Sequence, residues 1–362
     1  MSCVVSFVIP CLNSEKTIAQ TIDSIFAQMT DLSYEVIVVD NGSTDRTVEL
    51  ATRENVTVLH CETRGAGSAR NHGARHAAGD FLAFIDSDVV LDAHWLRTLM
   101  VRLTQENFAI ALGRVIPVGE KNFFNDYRLA LNTNRYRGTN ISLVHPLHGI
   151  APTVNTAACI YRKNAFRSVG GFNEDLSRLE DSDLSMRVFF HGGTIYASSE
   201  AKAWVYNTNG VLSYLARSFK LGLAQRSFGQ ALGLPKETMR TNFRVGFGQL
   251  AEAFRPPDLR LFHYLNLTLS FVGFWLTAGR TPTKTFKLNS QVARKLTQSF
   301  TFQIGGQDWC LAQTTRLILM NETWHILDAH KVIWHQLDAQ ASSRSDDLTF
   351  LSNNKIIEPY KG

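Results

Sequence analysis

Two acidic clusters in the chain have residue types that could carry chemistry. In the first, Asp86 and Asp88 are one residue apart and follow the apolar run FLAFI. Two carboxylates at the end of a buried strand can direct oxygen atoms at one hard divalent cation, and Mg²⁺ or Mn²⁺ prefers such ligands. A solvated turn that caps the next helix is the alternative, but the position after an apolar strand favours a metal site.

The second acidic cluster is Glu180 and Asp181, beside a helix predicted from 181 to 191. A carboxylate that faces a cleft can accept a proton from an attacking hydroxyl group, so this pair supplies candidates for a general base. Acidic residues are also common in the first turn of a helix, because they interact favourably with the helix dipole. The cluster taken alone leaves both interpretations open.

Two glycine-containing turns could contact a nucleotide. Asp40 and Asn41 precede Gly42, which lets the backbone approach a ligand closely, and either side chain could bind a base or ribose. An ordinary Asn-Gly turn is the alternative. The segment from Gly65 to Arg70 reads G-x-G-x-x-R rather than G-x-G-x-x-G and follows the third strand, so a dinucleotide-binding dehydrogenase is a poor fit. A helix start near an arginine still suits an anion.

The elements that must position these residues form an α/β pattern. Apolar runs alternate with helical segments, and strands are predicted at 4–9 (ending before Pro10), 35–40, 56–60 and 81–85. Strands that are apolar throughout indicate a mostly parallel sheet covered by helices on both faces. Ligands bind beyond the carboxyl ends of such strands. The polar clusters lie at those ends, so the sequence predicts one site there.

The remainder of the chain is predicted to hold further strands, a basic helical stretch and a C-terminal module. Separate strands are expected at 194–197 and 203–206, and an irregular loop at 122–150. Residues 259–278 are long enough to span a bilayer, although polar residues in the first half favour a buried or interfacial helix. Three regions are predicted: residues 1–235, a helical segment at 236–286, and a small β-containing extension at 287–362.

Composition excludes several classes of protein. The apolar fraction is 44% and the charged fraction 19%, which excludes a disordered chain. The net charge of +5 does not require a nucleic-acid partner, and none is expected. Five widely spaced cysteines without a C-x-x-C pair predict free thiols rather than disulfides or a zinc site. The N-terminal residues lack the pattern of a secretory signal, so a cytoplasmic location is expected.

The motifs also occur together in one order over about residues 4–230. They are Pro10-Cys11-Leu12-Asn13, VVDNGSTD, G-x-x-x-A-R-N-x-G from Gly65 through Gly73, FIDSDVV, GGFNE and E-D-x-D-L-x-x-R. In this combination the chain resembles family 2 glycosyltransferases of the GT-A fold, which is Rossmann-like. The resemblance implies inverting transfer of a sugar from a nucleoside diphosphate sugar.

The same resemblance implies roles for the donor-side residues. Asp88 would bind Mg²⁺ or Mn²⁺ at the diphosphate, and Asp86 would hold the ribose or support the metal. The nucleotide-sugar pocket would involve Pro10, Asn13, Asp40, Asn41 and Arg70. Many members have Asp-Asp where this chain has Asp40-Asn41, so the identity of the base stays open.

On the acceptor side, Asp181 would be the general base, with Glu180 beside it. The acceptor would be a saccharide, a glycolipid or a protein, as in synthesis of a surface polysaccharide of the cell envelope. A single transfer is expected, because the Q-x-x-R-W signature of processive synthases is incomplete at residues 225–228. Peripheral contact with the cytoplasmic face of a membrane is expected through 211–278.

Two other functions fit parts of the same pattern. A nucleotidyltransferase also uses an α/β sheet and acidic metal ligands, but it usually has a basic glycine-rich loop after the first strand, and PCLNSEK is not one. A non-catalytic protein that binds carbohydrate or a partner is the other alternative. The presence of both Asp88 and Asp181 argues against it.

Overall fold

The computed structural model describes most of the first 231 residues and parts of the remainder. The described ranges are 4–106, 108–119, 126–127, 141–142, 153–191, 193–206 and 211–231, together with helical positions at 262, 265, 268–269 and 272 and the backbone of strands between 301 and 359.

The N-terminal part alternates strands and helices as the sequence predicts. Its elements are β1 (Val5–Cys11), α1 (Ile18–Phe26), β2 (Tyr34–Asp40), α2 (Thr47–Ala51), β3 (Val56–His60), α3 (Ala66–His76) and β4 (Phe81–Ile85). The next are β5 (Val89–Leu91), α4 (Trp95–Gln105), β6 (Ile110–Val118), β7 (Ile141–Ser142), β8 (Thr153–Val154) and β9 (Ala158–Arg162).

The later elements include the helix that begins with the second acidic cluster. They are α5 (Lys163–Ser168), α6 (Glu180–Phe190), β10 (Ile195–Tyr206) and α7 (Val211–Ala231). The C-terminal strands are β11 (Thr301–Ile304), β12 (Gln307–Leu311), β13 (Thr315–Met320), β14 (Thr323–Asp328), β15 (Ile333–Leu337) and β16 (Ile357–Pro359).

One sheet of eleven strands organises the described part of the chain. Its order is β15-β14-β13-β10-β6-β9-β4-β1-β2-β3, with β5 paired to β10. The strands β3, β2, β1 and β4 are parallel neighbours, whereas β9 runs antiparallel between β4 and β6. Parallel strands end at one edge of a sheet, so the residues that follow β1, β2 and β4 meet there.

Helices cover both faces of this sheet. On β1, Phe7 and Ile9 pack in an apolar cluster with α1 and α4, whereas Val8 packs in a second cluster with α3 and α6. Successive side chains of a strand point to opposite faces, and both faces here meet buried apolar residues. This double coverage explains why the strands are apolar throughout, and the predicted α/β architecture is confirmed.

The structure corrects three details of the predicted strands. β1 does not end before Pro10, which pairs in register with Val39 of β2. The pairing of β1 with β4 stops at Val8. Pro10, which has no N–H to donate, therefore lies where β1 no longer pairs with β4. The two strands predicted at 194–206 form the single strand β10, which keeps its pairing with β6 across a register shift between Ala197 and Lys202. The short strand β5 was not predicted.

Several sequence predictions concern residues that are only partly described. The hairpin near residue 300 is confirmed by the antiparallel pair β11 and β12, and β13 lies parallel to β10 in the main sheet. The segments 122–150 and 236–286 lie mainly outside the described residues, and the division into three regions stays a prediction. Among the described residues, no helix has the length and hydropathy of a membrane span. The described cysteines Cys11, Cys61 and Cys159 are buried free thiols.

Candidate active site

A cleft of about 880 Å³ lies at the carboxyl ends of β1, β2 and β4. Its walls come from the segments that follow these strands, the start of α3, residues 154–156, the start of α6 and one part of α7. Eight of the nine predicted site residues line it: Pro10, Asn13, Asn41, Arg70, Asp86, Asp88, Glu180 and Asp181. The two acidic clusters therefore share one cavity, although they are about ninety residues apart in the chain.

The turn that carries the first acidic cluster is held through its backbone. The amide of Asp86 donates to the carbonyl of Ala157 (2.9 Å), and the carbonyl of Asp86 accepts from Val89 (3.1 Å). The carbonyl of Asp88 accepts from the amide of Tyr206 at the end of β10 (2.8 Å). Bonds from β9, β5 and β10 segments thus fix this turn, and the side chains of both aspartates border the cleft.

Arg70 connects the two acidic clusters. It is only 4% exposed, and its Nη2 lies 2.6 Å from Asp86 Oδ1 while its Nη1 lies 2.9 Å from Glu180 Oε1. Its guanidinium carbon is also 5.4 Å from the centre of the Phe172 ring. Burial disfavours the charged form, but the two carboxylates outweigh it and raise the pKa of Arg70 above its ordinary value.

The second acidic cluster begins α6 directly after an unusual residue. Leu179 has a φ of 67°, a conformation that bulky L-residues rarely adopt, and its side chain is buried in the core. Leu179 therefore anchors the entry to the helix, and both residues beside it, Arg178 and Glu180, line the cleft. Strained backbone conformations are often found at functional sites, and the positive φ of Leu179 lies beside the candidate site.

Asp181 has the electrostatic environment of a proton acceptor. Burial raises its pKa to about 7, and the adjacent charge of Glu180 adds to the increase. A hydrogen bond from the Ser182 amide (2.7 Å) and the nearby charge of Arg70 act in the opposite direction. The carboxyl group can therefore gain or lose a proton near neutral pH, which suits general-base catalysis.

Asp40 is the predicted site residue that does not line the cleft. Its buried carboxylate accepts hydrogen bonds from the amides of Gly42 (3.2 Å) and Ser43 (3.1 Å), and His60 Nδ1 lies 3.5 Å away. The carboxylate thus closes its own turn, and its expected role in the nucleotide pocket stays a prediction. The sequence could not separate these cases, since an acidic residue before Asn-Gly suits both.

Asn41 and Asn13 line the cleft, and their side chains also form hydrogen bonds with neighbouring loops. The Asn41 amide nitrogen donates to the carbonyls of Cys61 (3.0 Å) and Thr63 (2.8 Å), and its oxygen accepts from the Gly65 amide (2.8 Å). Asn13 has a φ of 52°, and its side-chain oxygen accepts from the Thr44 amide (2.9 Å). Both amides therefore join neighbouring loops of the cleft wall.

Three arginines that line the cleft are absent from the predicted site. Arg64 lies over the Gly42 backbone, where an added Cβ would be 3.5 Å from its guanidinium carbon. Arg178 and Arg217 line the cleft near the start of α6 and on α7. The sequence carried a signal for Arg64, which precedes the glycine-containing segment that enters a helix, and for Arg217, which belongs to the basic stretch at 211–230. No signal pointed to Arg178.

The donor set fits a divalent cation that is shared with a ligand. Among the described residues, no group of three or more His, Cys, Asp or Glu side chains is arranged to hold a metal ion. Asp86 and Asp88 both border the cleft, and one of them is already paired with Arg70. Mg²⁺ usually takes one or two carboxylates from the protein and completes its coordination with phosphates and water, and this pair suits that arrangement.

Comparison with known proteins places the fold and the first part of the site in one family. A family model described as glycosyl transferase family 2 matches residues 6–170. Residues 6–170 of the chain therefore belong to glycosyl transferase family 2. This matched span includes the Asp86–Asp88 turn and Arg70, and it ends before Glu180 and Asp181.

Curated relatives match a little over half of this chain. It is 31% identical over 196 residues to the pre-mycofactocin glycosyltransferase of Mycobacterium tuberculosis, covering 53% of this chain and 40% of that protein. It is 25% identical over 212 residues to the poly(ribitol-phosphate) beta-N-acetylglucosaminyltransferase TarS of Staphylococcus aureus, covering 56% of this chain and 35% of TarS. The chain therefore matches less than half the length of these relatives.

A solved structure shows the fold of the family 2 chain. The mannosyltransferase PcManGT from Pyrobaculum calidifontis, in complex with GDP-Man and Mn²⁺, has a TM-score of 0.53 and 17% sequence identity. The match covers 77% of this chain and 89% of that protein. At this identity the likeness concerns the fold alone, and the expected GT-A fold is confirmed.

Proposed function

We propose that the chain is an inverting glycosyltransferase that moves a single sugar from a nucleoside diphosphate sugar to a hydroxyl group of an acceptor. The acceptor would be a saccharide, a lipid-linked saccharide or a protein, in synthesis of a cell-envelope glycan. The observation that carries the proposal is the single cleft lined by Asp86 and Asp88 on one side and by Glu180 and Asp181 on the other. Family membership supports the same reaction class.

The donor would occupy the part of the cleft formed after β1, β2 and β4. Pro10, Asn13 and Asn41 line this part, and Arg64 adds a positive charge beside them. The volume of about 880 Å³ is within the usual range for ligand pockets. A relative named as an N-acetylglucosaminyltransferase and a protein of similar fold that binds GDP-Man support a nucleotide-sugar donor.

Asp88 and Asp86 would hold the divalent cation, Mg²⁺ or Mn²⁺. A bound cation offsets the negative charge that develops on a leaving diphosphate. Arg70 holds the Asp86 carboxylate through a 2.6 Å contact, so Asp86 is fixed at the edge of the cleft. Asp88 lines the same edge and would be the second carboxylate ligand.

Asp181 would accept the proton of the attacking hydroxyl group. With a pKa of about 7, it is ionised above neutral pH and can take up this proton as the new glycosidic bond forms. Glu180 is paired with Arg70, which leaves Asp181 as the acceptor of the proton. In-line attack with one base inverts the anomeric carbon and needs no covalent intermediate.

Contact with a membrane surface is the remaining part of the proposal. The first residues of α7 include Leu212, which is 83% exposed, and the exposed Val211. Exposed apolar residues beside a basic helical stretch favour peripheral binding to anionic lipid. Such contact would bring the acceptor side of the cleft close to lipid-linked substrates.

A panel of nucleotide sugars tests the donor part of this function. Thermal unfolding of the full chain is measured with UDP-, GDP-, CDP- and dTDP-sugars, each with and without Mn²⁺. A ligand that binds only the folded state raises the melting temperature. One nucleotide sugar should therefore give the largest increase in melting temperature, and this increase should require Mn²⁺. The absence of stabilisation by every nucleotide sugar would contradict the proposal.

A further inference from the structure

Arg178 and Arg217 form a pair of positive charges at one end of the cleft, which we name the arginine pair. Arg178 is half-buried, and Arg217 is exposed to solvent on α7. Within the described part of the chain, neither makes an ion pair; Glu180, which is paired with Arg70, acts on Arg178 only through its charge. Burial and the charge of Arg217 lower the pKa of Arg178 below its ordinary value.

The arginine pair lies on the side of the cleft that carries the base. Arg178 precedes Asp181 by three residues, and Leu179 between them is buried with a positive φ. Arg217 comes from α7, and Leu221, one turn later, lines the cleft and packs against the apolar core. None of these residues belongs to the loops after β1, β2 or β4 that form the donor part.

Two neighbouring guanidinium groups without a carboxylate partner repel each other, and an anion between them removes that cost. Arginine binds phosphate through two parallel N–H bonds, so a phosphate group can be held by both side chains. In the proposed function, a cation at Asp86 and Asp88 offsets the charge of the donor diphosphate. The arginine pair lies beside the base instead, which favours a second anion that is carried by the acceptor.

We propose that the acceptor carries a phosphate group that binds between Arg178 and Arg217 while its hydroxyl group faces Asp181. The proposal rests on the proposed function and specifies its acceptor as a phosphate-bearing alcohol. Such a phosphate can belong to a small alditol or sugar phosphate, or to a lipid headgroup. Both sources present the same group to the arginine pair.

Matched pairs of acceptors test the proposal by direct binding. Isothermal titration compares glycerol with glycerol 3-phosphate and glucose with glucose 6-phosphate, using the full chain without donor. Flotation with phosphatidylcholine vesicles, with and without phosphatidylglycerol, tests the lipid source. The variants are Arg178→Gln, Arg217→Gln and, as a control, Lys220→Gln, because Lys220 is exposed on the same helix and does not line the cleft.

The phosphorylated member of each pair should bind at least about tenfold more tightly, and Arg217→Gln should remove most of this preference. Lys220→Gln should keep the preference within the two small-molecule pairs. Arg217 is exposed, so its variant should fold even if Arg178→Gln does not. A preference in vesicles that both Arg178→Gln and Arg217→Gln remove would assign the phosphate to a lipid, because Arg178 lies outside the basic stretch of α7. A preference in the small pairs would assign it to a soluble or polymeric alcohol.

Two outcomes would overturn the proposal. One is equal binding, or no binding, of the neutral and phosphorylated members of every pair and of both vesicle types. The other is that Arg178→Gln and Arg217→Gln weaken binding of the stabilising nucleoside diphosphate instead, which would assign the arginine pair to the donor. Failure of the proposed function has a different signature, since wild-type protein would then bind no nucleoside diphosphate sugar at all.

Discussion

The two acidic clusters of the cleft have the same residue chemistry but different surroundings. The Asp86–Asp88 turn is held by backbone bonds to three elements, and Asp86 is paired with Arg70 at 2.6 Å. At the start of α6, Arg70 pairs with Glu180, and the pKa of Asp181 rises to about 7. In the proposed mechanism, surroundings rather than residue type would therefore separate a cation-binding carboxylate from a proton-accepting one.

The largest expected effect comes from the first cluster. Asp88→Ala should reduce transfer by about 1,000-fold and abolish the Mn²⁺-dependent part of donor binding, because it removes the carboxylate that is not shared with Arg70. Titration of donor with and without Mn²⁺ measures this. The exposed Asp80, which lies outside the cleft, supplies the control Asp80→Asn. If Asp88→Ala still bound the donor in an Mn²⁺-dependent manner, the proposed cation-binding role of the first cluster would be contradicted.

In the second cluster, Asp181→Asn should separate chemistry from binding. Transfer should fall by about 100-fold or more, because an amide cannot accept the proton, while the affinity for donor and Mn²⁺ should stay within about twofold, since the first cluster is intact. Initial rates and donor titrations on the same preparation measure both quantities. Glu200→Gln, at an exposed residue outside the cleft, is the matched control. Near-normal turnover of Asp181→Asn would show that another group is the base.

Arg70 links the clusters, so its replacement should affect both. Arg70→Lys should lower the free energy of unfolding by about 3 kcal/mol, because a single ammonium cannot hold Asp86 and Glu180 in their present positions and leaves a buried charge poorly paired. Urea denaturation measures the change. The exposed pair of Arg46 and Glu49 provides the comparison, and Arg46→Lys should leave stability unchanged. If Arg70→Lys and Arg46→Lys changed the free energy of unfolding equally, the role of Arg70 in holding both carboxylates would be contradicted.

The smallest expected effect is a pH-dependent gain in stability. The pKa of Asp181 is raised from 3.8 to about 7 in the folded protein, so folding favours its protonated form. Its ionisation therefore costs stability increasingly as pH rises from about 4 through 7, and Asp181→Asn avoids this cost. The variant should melt about 2–4 °C above wild type at pH 8 and show no difference at pH 4. A variant that melts lower at pH 8 would contradict the raised pKa.

The same ionisation predicts the pH dependence of transfer. The base form of Asp181 exists above a pKa of about 7, so the rate should increase as pH rises through that value and then level off. Initial rates at saturating substrate concentrations between pH 5 and 9 measure this increase. A rate that stays constant over this range would argue against a base with this pKa.

The sequence predicts the fold and most of the site because its signals are local. Apolar strands, turn residues and acidic pairs each lie within a few positions, and eight of nine predicted residues line one cleft. Other contacts of the site depend on packing between segments that are distant in the sequence, and the sequence does not predict them. Asp40 turns from the cleft to cap its own turn, and Arg70 lies between Asp86 and Glu180, 16 and 110 positions away. Nothing in the local pattern around Leu179 indicates a positive φ.

The position of Arg70 has a consequence for protein engineering. In the proposed donor part, Asn13 and Arg64 line the cleft without a hydrogen bond or ion pair to Arg70, so they are the places to alter donor choice. Substitutions near Arg70 would instead disturb both carboxylates that it pairs with. A library intended to broaden donor usage should therefore vary the first group and keep Arg70 constant.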